Sequence, residues 1–273
     1  MAIYTKLNED NLKDFFSKYN LGKLISYKGI EEGIENTNYL IKTTEGKFIL
    51  TIYEKRVQEN DLPFFIGLMK NLFNANFKSP EPIINKNGSY ISEILNKKAA
   101  VVSFIDGNSK KVLSPENCFL VGVETAKLHM ITKKLSIKRK NRLSVESWKN
   151  IYNKVSKDCS KIHTSLPKII EKNLEEIEKN WPKNIPSGII HADLFPDNIF
   201  FKNNKFTGII DFYFSCRDFY IYDLMLTVNA WCFDPHGQPD PGAIRKFIQG
   251  YEQHRSNYKV YNSQQNLEYP QPI

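Results

Sequence analysis

The sequence predicts an α+β fold in two lobes: a small N-terminal antiparallel β-sheet lobe followed by a mainly helical C-terminal lobe. Three observations point there. Short β-branched and aromatic runs separated by glycine-bearing turns dominate the first third, apolar residues at helical spacing dominate from Pro115 onward, and the polar break Asp106-Gly107-Asn108-Ser109 falls between the two regimes. The expected division is a first lobe over 1–105, a second over 106–257 and a polar tail, rich in Asn, Gln and Pro, over 258–273.

Residues 23–29, 38–43 and 47–53 read as a small β-meander, the last two strands joined by Thr44-Glu45-Gly46. Asp61 stands where it can cap a helix whose Phe64, Phe65, Leu68 and Leu72 recur on one face, with Pro63 tolerated in the first turn. Pro80 and Pro82 close that section, and a hairpin over 89–95 and 99–105 is expected to turn at 96–98. Ser114 can cap an amphipathic helix over 115–130, with Phe119, Val123, Ala126 and Met130 on its buried face. Helices follow over 145–160 and 168–181, stopped by Pro182 and Pro186. Strands return at 188–191, 198–201 and 206–211, and helices at 222–232 and 243–254.

Composition narrows the function. With 41% hydrophobic and 25% charged residues, 13 Gly and 13 Pro, the 273-residue chain falls outside collagen-like and disordered classes. It contains no run long enough to span a bilayer and no signal-peptide start, so the cytoplasm is the expected compartment. The four cysteines, Cys118, Cys159, Cys216 and Cys232, form no C-x-x-C pair and suggest neither a zinc site nor a disulfide framework. A net charge of +8 suits a polyanionic partner, but the densest basic cluster, from Lys133 to Arg142, lacks interleaved aromatics. It reads as a solvated loop, so no nucleic-acid or membrane partner is expected, and the oligomeric state is open.

Chemistry concentrates in His191-Ala192-Asp193-Leu194-Phe195-Pro196-Asp197-Asn198, which joins two strands, and in Asp211, which ends the next. If Asn203-Asn204 makes a two-residue hairpin turn, Asn198 faces Ile209 and Asp211 lies two residues beyond, roughly 7 Å along the strand. A carboxylate and an amide oxygen are hard ligands suited to Mg²⁺, which draws its remaining ligands from water and phosphates. Asp193 is then left to accept the proton of a hydroxyl nucleophile, the arrangement phosphoryl transfer needs. Taken alone, H-x-D-x-x-x-x-N is equally a capped turn; the apolar strand ending in Asp211-Phe212 at the right distance favours the functional reading.

These two segments resemble the catalytic stretch of the aminoglycoside phosphotransferase and choline kinase superfamily, whose fold is protein-kinase-like. Within it, residues 1–5, 48–56, 61–65, 211–214 and 229–233 are similar to the bacterial homoserine kinase branch, over nearly the whole chain to about Arg255. The resemblance implies ATP and Mg²⁺ as cofactors, homoserine as the small-molecule substrate and its hydroxyl as the phosphate acceptor. Asp193 is then the base, and Asn198 and Asp211 hold the metal. Gly33, Asn36 and Asn38 fall where the superfamily's phosphate-covering loop lies, although an ordinary hairpin loop explains them equally. Phe104 and Asp106 match the connection whose backbone meets adenine; a plain linker is the alternative.

Two departures accompany the resemblance. Thr51 stands where many kinases of this fold carry a lysine, and the helix after 61 has no glutamate to pair with one. Lys55 and Arg56 are alternative phosphate contacts or solvated charges. Further C-terminal helices implied by the resemblance are replaced by the polar tail, with incomplete packing or an incomplete substrate pocket as the expected consequence and a catalytically impaired nucleotide-binding protein as one alternative reading; the other is a small-molecule kinase of the same superfamily acting on choline, an amino alcohol or an aminoglycoside. The acceptor's ammonium and carboxylate call for opposite charges, with Asp218 and Arg217 as candidates and a surface pair as their alternative reading. Asp223 reads as bracing the catalytic loop and His191 as orienting it. Trp231 and Tyr213 are core residues or lining of the acceptor cleft.

Overall fold

The computed structural model describes residues 3–33, 35–55, 57–110 and 113–255; the opening pair, Arg56 and the tail over 258–273 lie outside them. Asn8 and Asn11 cap each other's backbone to start α1 (Glu9–Ser17), whose Leu12, Phe15 and Phe16 turn inward. This helix is not among the expected elements. It covers one face of an antiparallel sheet made of β1 (Leu24–Ile30), β2 (Thr37–Thr43), β3 (Gly46–Ile52), β4 (Ser92–Ile94) and β5 (Lys97–Ser103), in the order β1-β2-β3-β5-β4. The β4–β5 turn is tighter than expected. Ile94 pairs with Lys97, so Leu95 and Asn96 alone make the turn, both at positive φ, as the twist of a two-residue hairpin requires.

Alternation along the sheet divides two cores. Ile41, Leu50, Ile52, Ala99 and Val101 face α1, whereas Ala100 and Val102 face α2 (Leu62–Asn74) and the rest of the molecule. Asp61 does not cap α2: its backbone is already helical and its carboxylate makes no capping bond, being drawn to two arginines instead. Because α2 contributes its buried face to the larger core, that core runs across position 105 rather than stopping there.

Ser114 and Asn117 form a capping box at the start of α3 (Pro115–Thr132), as the cap position predicts. The helix is not amphipathic, however. It is central, so Glu124, His129 and Thr132 are buried along with the apolar residues, while Met130, expected inside, is 48% exposed. Beyond it come α4 (Val145–Ile162) and α5 (Leu166–Asn180), which pack chiefly on each other, and β6 (Ser187–Ile190). The hairpin β7 (Ile199–Lys202) and β8 (Lys205–Ile209) follows, then β9 (Cys216–Phe219), an unexpected short strand that pairs with β6. The helices α6 (Tyr220–Trp231) and α7 (Pro241–His254) complete the lobe.

α7 crosses α3 at glycines. A Cβ on Gly122 would stand 2.1 Å from the Phe247 carbonyl oxygen, and one on Gly250 would stand 2.1 Å from that of Phe119, so the two backbones touch. All four cysteines are buried and unpaired, and among the described residues no helix is long and apolar enough to cross a membrane.

Candidate active site

β6 delivers the chain to a loop held from below by α6. Asp223, wholly buried, accepts the backbone N–H of His191 at 3.1 Å and that of Ala192 at 2.7 Å. Burial opposes its charge, yet the bond from His129 Nε2 at 2.9 Å and these backbone donors hold its carboxyl below the usual range. Since Nε2 of His129 donates to that carboxylate, Nδ1 accepts from the Tyr251 hydroxyl at 2.9 Å, which links α7 to the loop. His191 donates from Nε2 to the Ile210 carbonyl at 3.0 Å, and burial pushes its pKa down to about 4, so the ring is neutral. Both expected bracing residues therefore touch the loop, and Trp231 joins them by donating to the Leu194 carbonyl at 2.7 Å from within the core.

Asp193, Asn198 and Asp211 converge at the end of the β7–β8 hairpin. The Asn198 amide donates to both the Asp193 carboxylate (2.8 Å) and its backbone carbonyl (2.9 Å), fixing the loop's width. Asn203 and Asn204 make the expected turn at positive φ, but the register slips between Phe200 and Phe201. Asn198 consequently faces Ile210, whose N–H it receives at 3.0 Å, rather than Ile209, and Asp211 is one residue beyond instead of two. Burial first, then the neighbouring Asp193 charge, pushes Asp211 up to about 7; burial likewise lifts Asp193 to about 6, against the Asn198 bond. Asp211 Oδ1 is buried without a hydrogen-bond partner.

Across from this group stand the residues of the sheet. Gly33 has φ +93° with open space where a side chain would lie, and buried Asn36 accepts the Glu54 N–H at 3.3 Å. Thr51 donates to Asn38 at 2.8 Å across the β2–β3 pair, and Tyr213 also bonds Thr51 and, at 3.3 Å, Tyr53. An uncharged network thus fills the place of a lysine–glutamate pair. Lys55 is exposed and Arg56 lies outside the described residues. Phe104, after β5, carries the Lys47 ammonium over its ring at 5.3 Å, and Asp106 pairs with Lys202 at 2.5 Å in solvent. Gly107 lies against the Phe201 backbone, and Asn108 and Phe201 exchange backbone bonds, so this connection is stapled to β7.

A cavity of about 200 Å³ opens beside the loop, lined by Asp61, Phe65, Arg139, Arg142, Ala192 and Tyr213 among others. Its basic residues belong to the cluster expected to be solvated. Arg139 instead is 13% exposed: Nε donates to Asp61 at 2.8 Å, Nη1 donates to the Phe214 and Ser215 carbonyls at 3.3 and 2.9 Å, and the guanidinium lies 4.9 Å over Phe65. Arg142 reaches the same carboxylate at 3.1 Å. Arg217 and Asp218 do not line this cavity. As neighbours on β9 they point to opposite faces, Arg217 into solvent and Asp218 onto the Asn141 amide at 2.6 Å. Linear charge density could not separate Arg139 from its neighbours, since what buries it lies far away in the sequence.

Comparison with known proteins agrees with this geometry. The chain is 43% identical over 252 residues to "Homoserine kinase" of Xanthobacter autotrophicus, covering 92% of this chain and 78% of that protein. It is 40% identical over 256 residues to the protein of the same name from Nitrobacter hamburgensis (94% and 78%). Among solved structures it is similar to an amicoumacin kinase in complex with AMP-PNP, Ca²⁺ and Ami, at TM-score 0.70 and 14% identity, covering 91% and 78% of the two chains. A spectinomycin phosphotransferase in complex with ADP and spectinomycin matches at TM-score 0.65 and 14% identity, over 90% and 80%. The fold is therefore the bilobal kinase-like one, and with residues 26–256 matching its family, the chain belongs to the phosphotransferase enzyme family.

Proposed function

We propose that this chain is a homoserine kinase, transferring the terminal phosphoryl group of ATP to the side-chain hydroxyl of L-homoserine. The grouping of Asp193, Asn198 and Asp211 carries the reading, in a chain 40 to 43% identical to homoserine kinases over more than nine-tenths of its length. The hydroxyl oxygen forms a bond to the γ-phosphorus, the bond from that phosphorus to the β-phosphate oxygen breaks, ADP leaves, and the proton passes to Asp193.

Asn198 orients the base: with its amide nitrogen bonded to Asp193, its oxygen is the atom available to a metal. Asp211 fits a cation equally well, because Oδ1 is buried with no hydrogen-bond partner and burial, then the Asp193 charge, pushes the carboxyl up to about 7. A bound Mg²⁺ supplies charge neutralisation for the phosphates there. Open space at Gly33 lets backbone N–H groups approach phosphate, Asn36, Asn38 and Thr51 shape the roof, and Phe104 and Asp106 flank the adenine position. We place this activity in the cytoplasm, as a step in threonine biosynthesis.

The test is ADP release from Mg-ATP with homoserine, choline, an aminoglycoside or no acceptor. Homoserine-dependent turnover that Asp193→Asn lacks supports the reading. Turnover of another acceptor alone overturns the substrate, and a folded, ATP-binding chain that turns over nothing overturns the activity.

A further inference from the structure

We propose that Arg139 receives the carboxylate of the acceptor in the cavity beside the catalytic loop, an assignment that rests on the homoserine reading above. Arg139 is fixed before any ligand arrives. Its Nε is held by Asp61, its Nη1 by two backbone carbonyls that follow the Asp211 strand, and its plane by Phe65. The remaining nitrogen, Nη2, makes no hydrogen bond among the described residues and is not enclosed without a partner, and Arg139 lines the cavity. A guanidinium immobilised on three sides loses little entropy on meeting a carboxylate, which is what makes such a contact selective.

Charge balance points the same way. Two guanidiniums, those of Arg139 and Arg142, share one carboxylate, Asp61, on this wall of the cavity, so Asp61 alone does not answer both. Arg142 is 43% exposed and keeps its charge in solvent, whereas Arg139 and Asp61 are each 13% exposed. A half-enclosed cation of this kind is completed by an anion.

Position and size select the anion's carrier. Ala192, which immediately precedes the base, also lines the cavity, so a ligand seated there presents its other end to Asp193. At about 200 Å³ the space is smaller than the roughly 300 to 1,000 Å³ of pockets that take drug-sized molecules. It suits a short amino acid bearing a carboxylate at one end and a hydroxyl at the other, and is too small for an aminoglycoside.

The experiment compares kcat/KM for L-homoserine with that for straight-chain aminopropanol, which lacks only the carboxylate, in the wild type, Arg139→Lys and Arg139→Gln. The expected result is a loss of about 10- to 100-fold on homoserine, mostly in KM, and a much smaller loss on aminopropanol. Equal losses on both acceptors mean that Arg139 only supports the loop, and no loss means that it does not meet the acceptor; either overturns the assignment while wild-type turnover of homoserine upholds the function. Should both variants misfold, calorimetric titration of the wild type with AMP-PNP present decides. Homoserine binding at least about tenfold tighter than aminopropanol supports a carboxylate contact, and equal affinities overturn it. A wild type that phosphorylates some other acceptor and not homoserine removes the functional reading and this assignment with it.

Discussion

The carboxylate of Asp223 holds the backbone N–H of Ala192 at 2.7 Å, at a residue whose φ is +65°. A non-glycine residue stays in that region only when its surroundings over-determine it, and here the second donor is the neighbouring N–H of His191. The base thus owes its position to a group on another element. Asp223→Ala strands two buried N–H groups and His129, and is expected to cost about 3 to 5 kcal/mol of stability, read by denaturant unfolding. Asp223→Asn keeps one acceptor and is expected to cost less, with activity still lowered through the loop.

Asp193→Asn separates chemistry from folding. The amide oxygen still receives the Asn198 donor, and a carboxyl lifted to about 6 by burial is replaced by a neutral group. Turnover is expected to fall by roughly 10²- to 10⁴-fold with the melting temperature unchanged or higher. A large drop in melting temperature would show Asp193 to be structural.

His191 makes stability depend on pH. Its pKa is near 6.5 when unfolded and about 4 in the folded chain, so between those values the unfolded state binds more protons. The His191 contribution is complete above about pH 6.5 and declines as pH falls toward 4, by roughly 3 kcal/mol in all, while Asp193 and Asp211, raised to about 6 and 7, act with the opposite sign over the same range. His129, lowered by burial in the same direction, adds to the decline. Comparing melting temperatures at pH 4 and pH 6.5, His191→Gln should lose less than the wild type on going to the lower pH, whatever its absolute stability; an unaltered difference would sink the attribution.

Gly122→Ala and Gly250→Ala test the α3–α7 crossing. Helix propensity favours alanine by about 1 kcal/mol, but a Cβ at 2.1 Å from a backbone oxygen has no flexible neighbour to displace. The clash wins, and each variant is expected to lose about 1 to 3 kcal/mol in urea unfolding. Gly67→Ala, on α2 where nothing lies within 4 Å, serves as the control and should be neutral or stabilising.

What the sequence revealed, and what it hid, follows from the range of the interactions involved. The β7–β8 hairpin was legible because Asn203-Asn204 favours positive φ locally, and the H-x-D-x-x-x-x-N loop because its spacing is contiguous. The register slip at Phe200 was not, since a bulge leaves no mark in alternation once both faces are apolar. α1 did carry a signal, in Asn8, Asn11, Leu12, Phe15 and Phe16, although it is short. β9 carried almost none, four residues of mixed character that become a strand only against β6. Arg139 shows the limit most plainly: a cation's burial is decided by a carboxylate 78 positions away, on a helix boundary that Asp61 seemed to serve as a cap.

The α4–α5 pair has a consequence for how the molecule breathes. Its helices rest chiefly on each other, α5 has no buried residue, and aromatic edge contacts of Trp181 with Trp148 and Tyr222 tie the pair to α6. The catalytic strand β6 that follows is anchored on α3, α6 and β9. In hydrogen exchange the amides of the pair should therefore trade with deuterium long before those of β6, at a free energy well below global unfolding. The chain can loosen at this pair without letting go of the base.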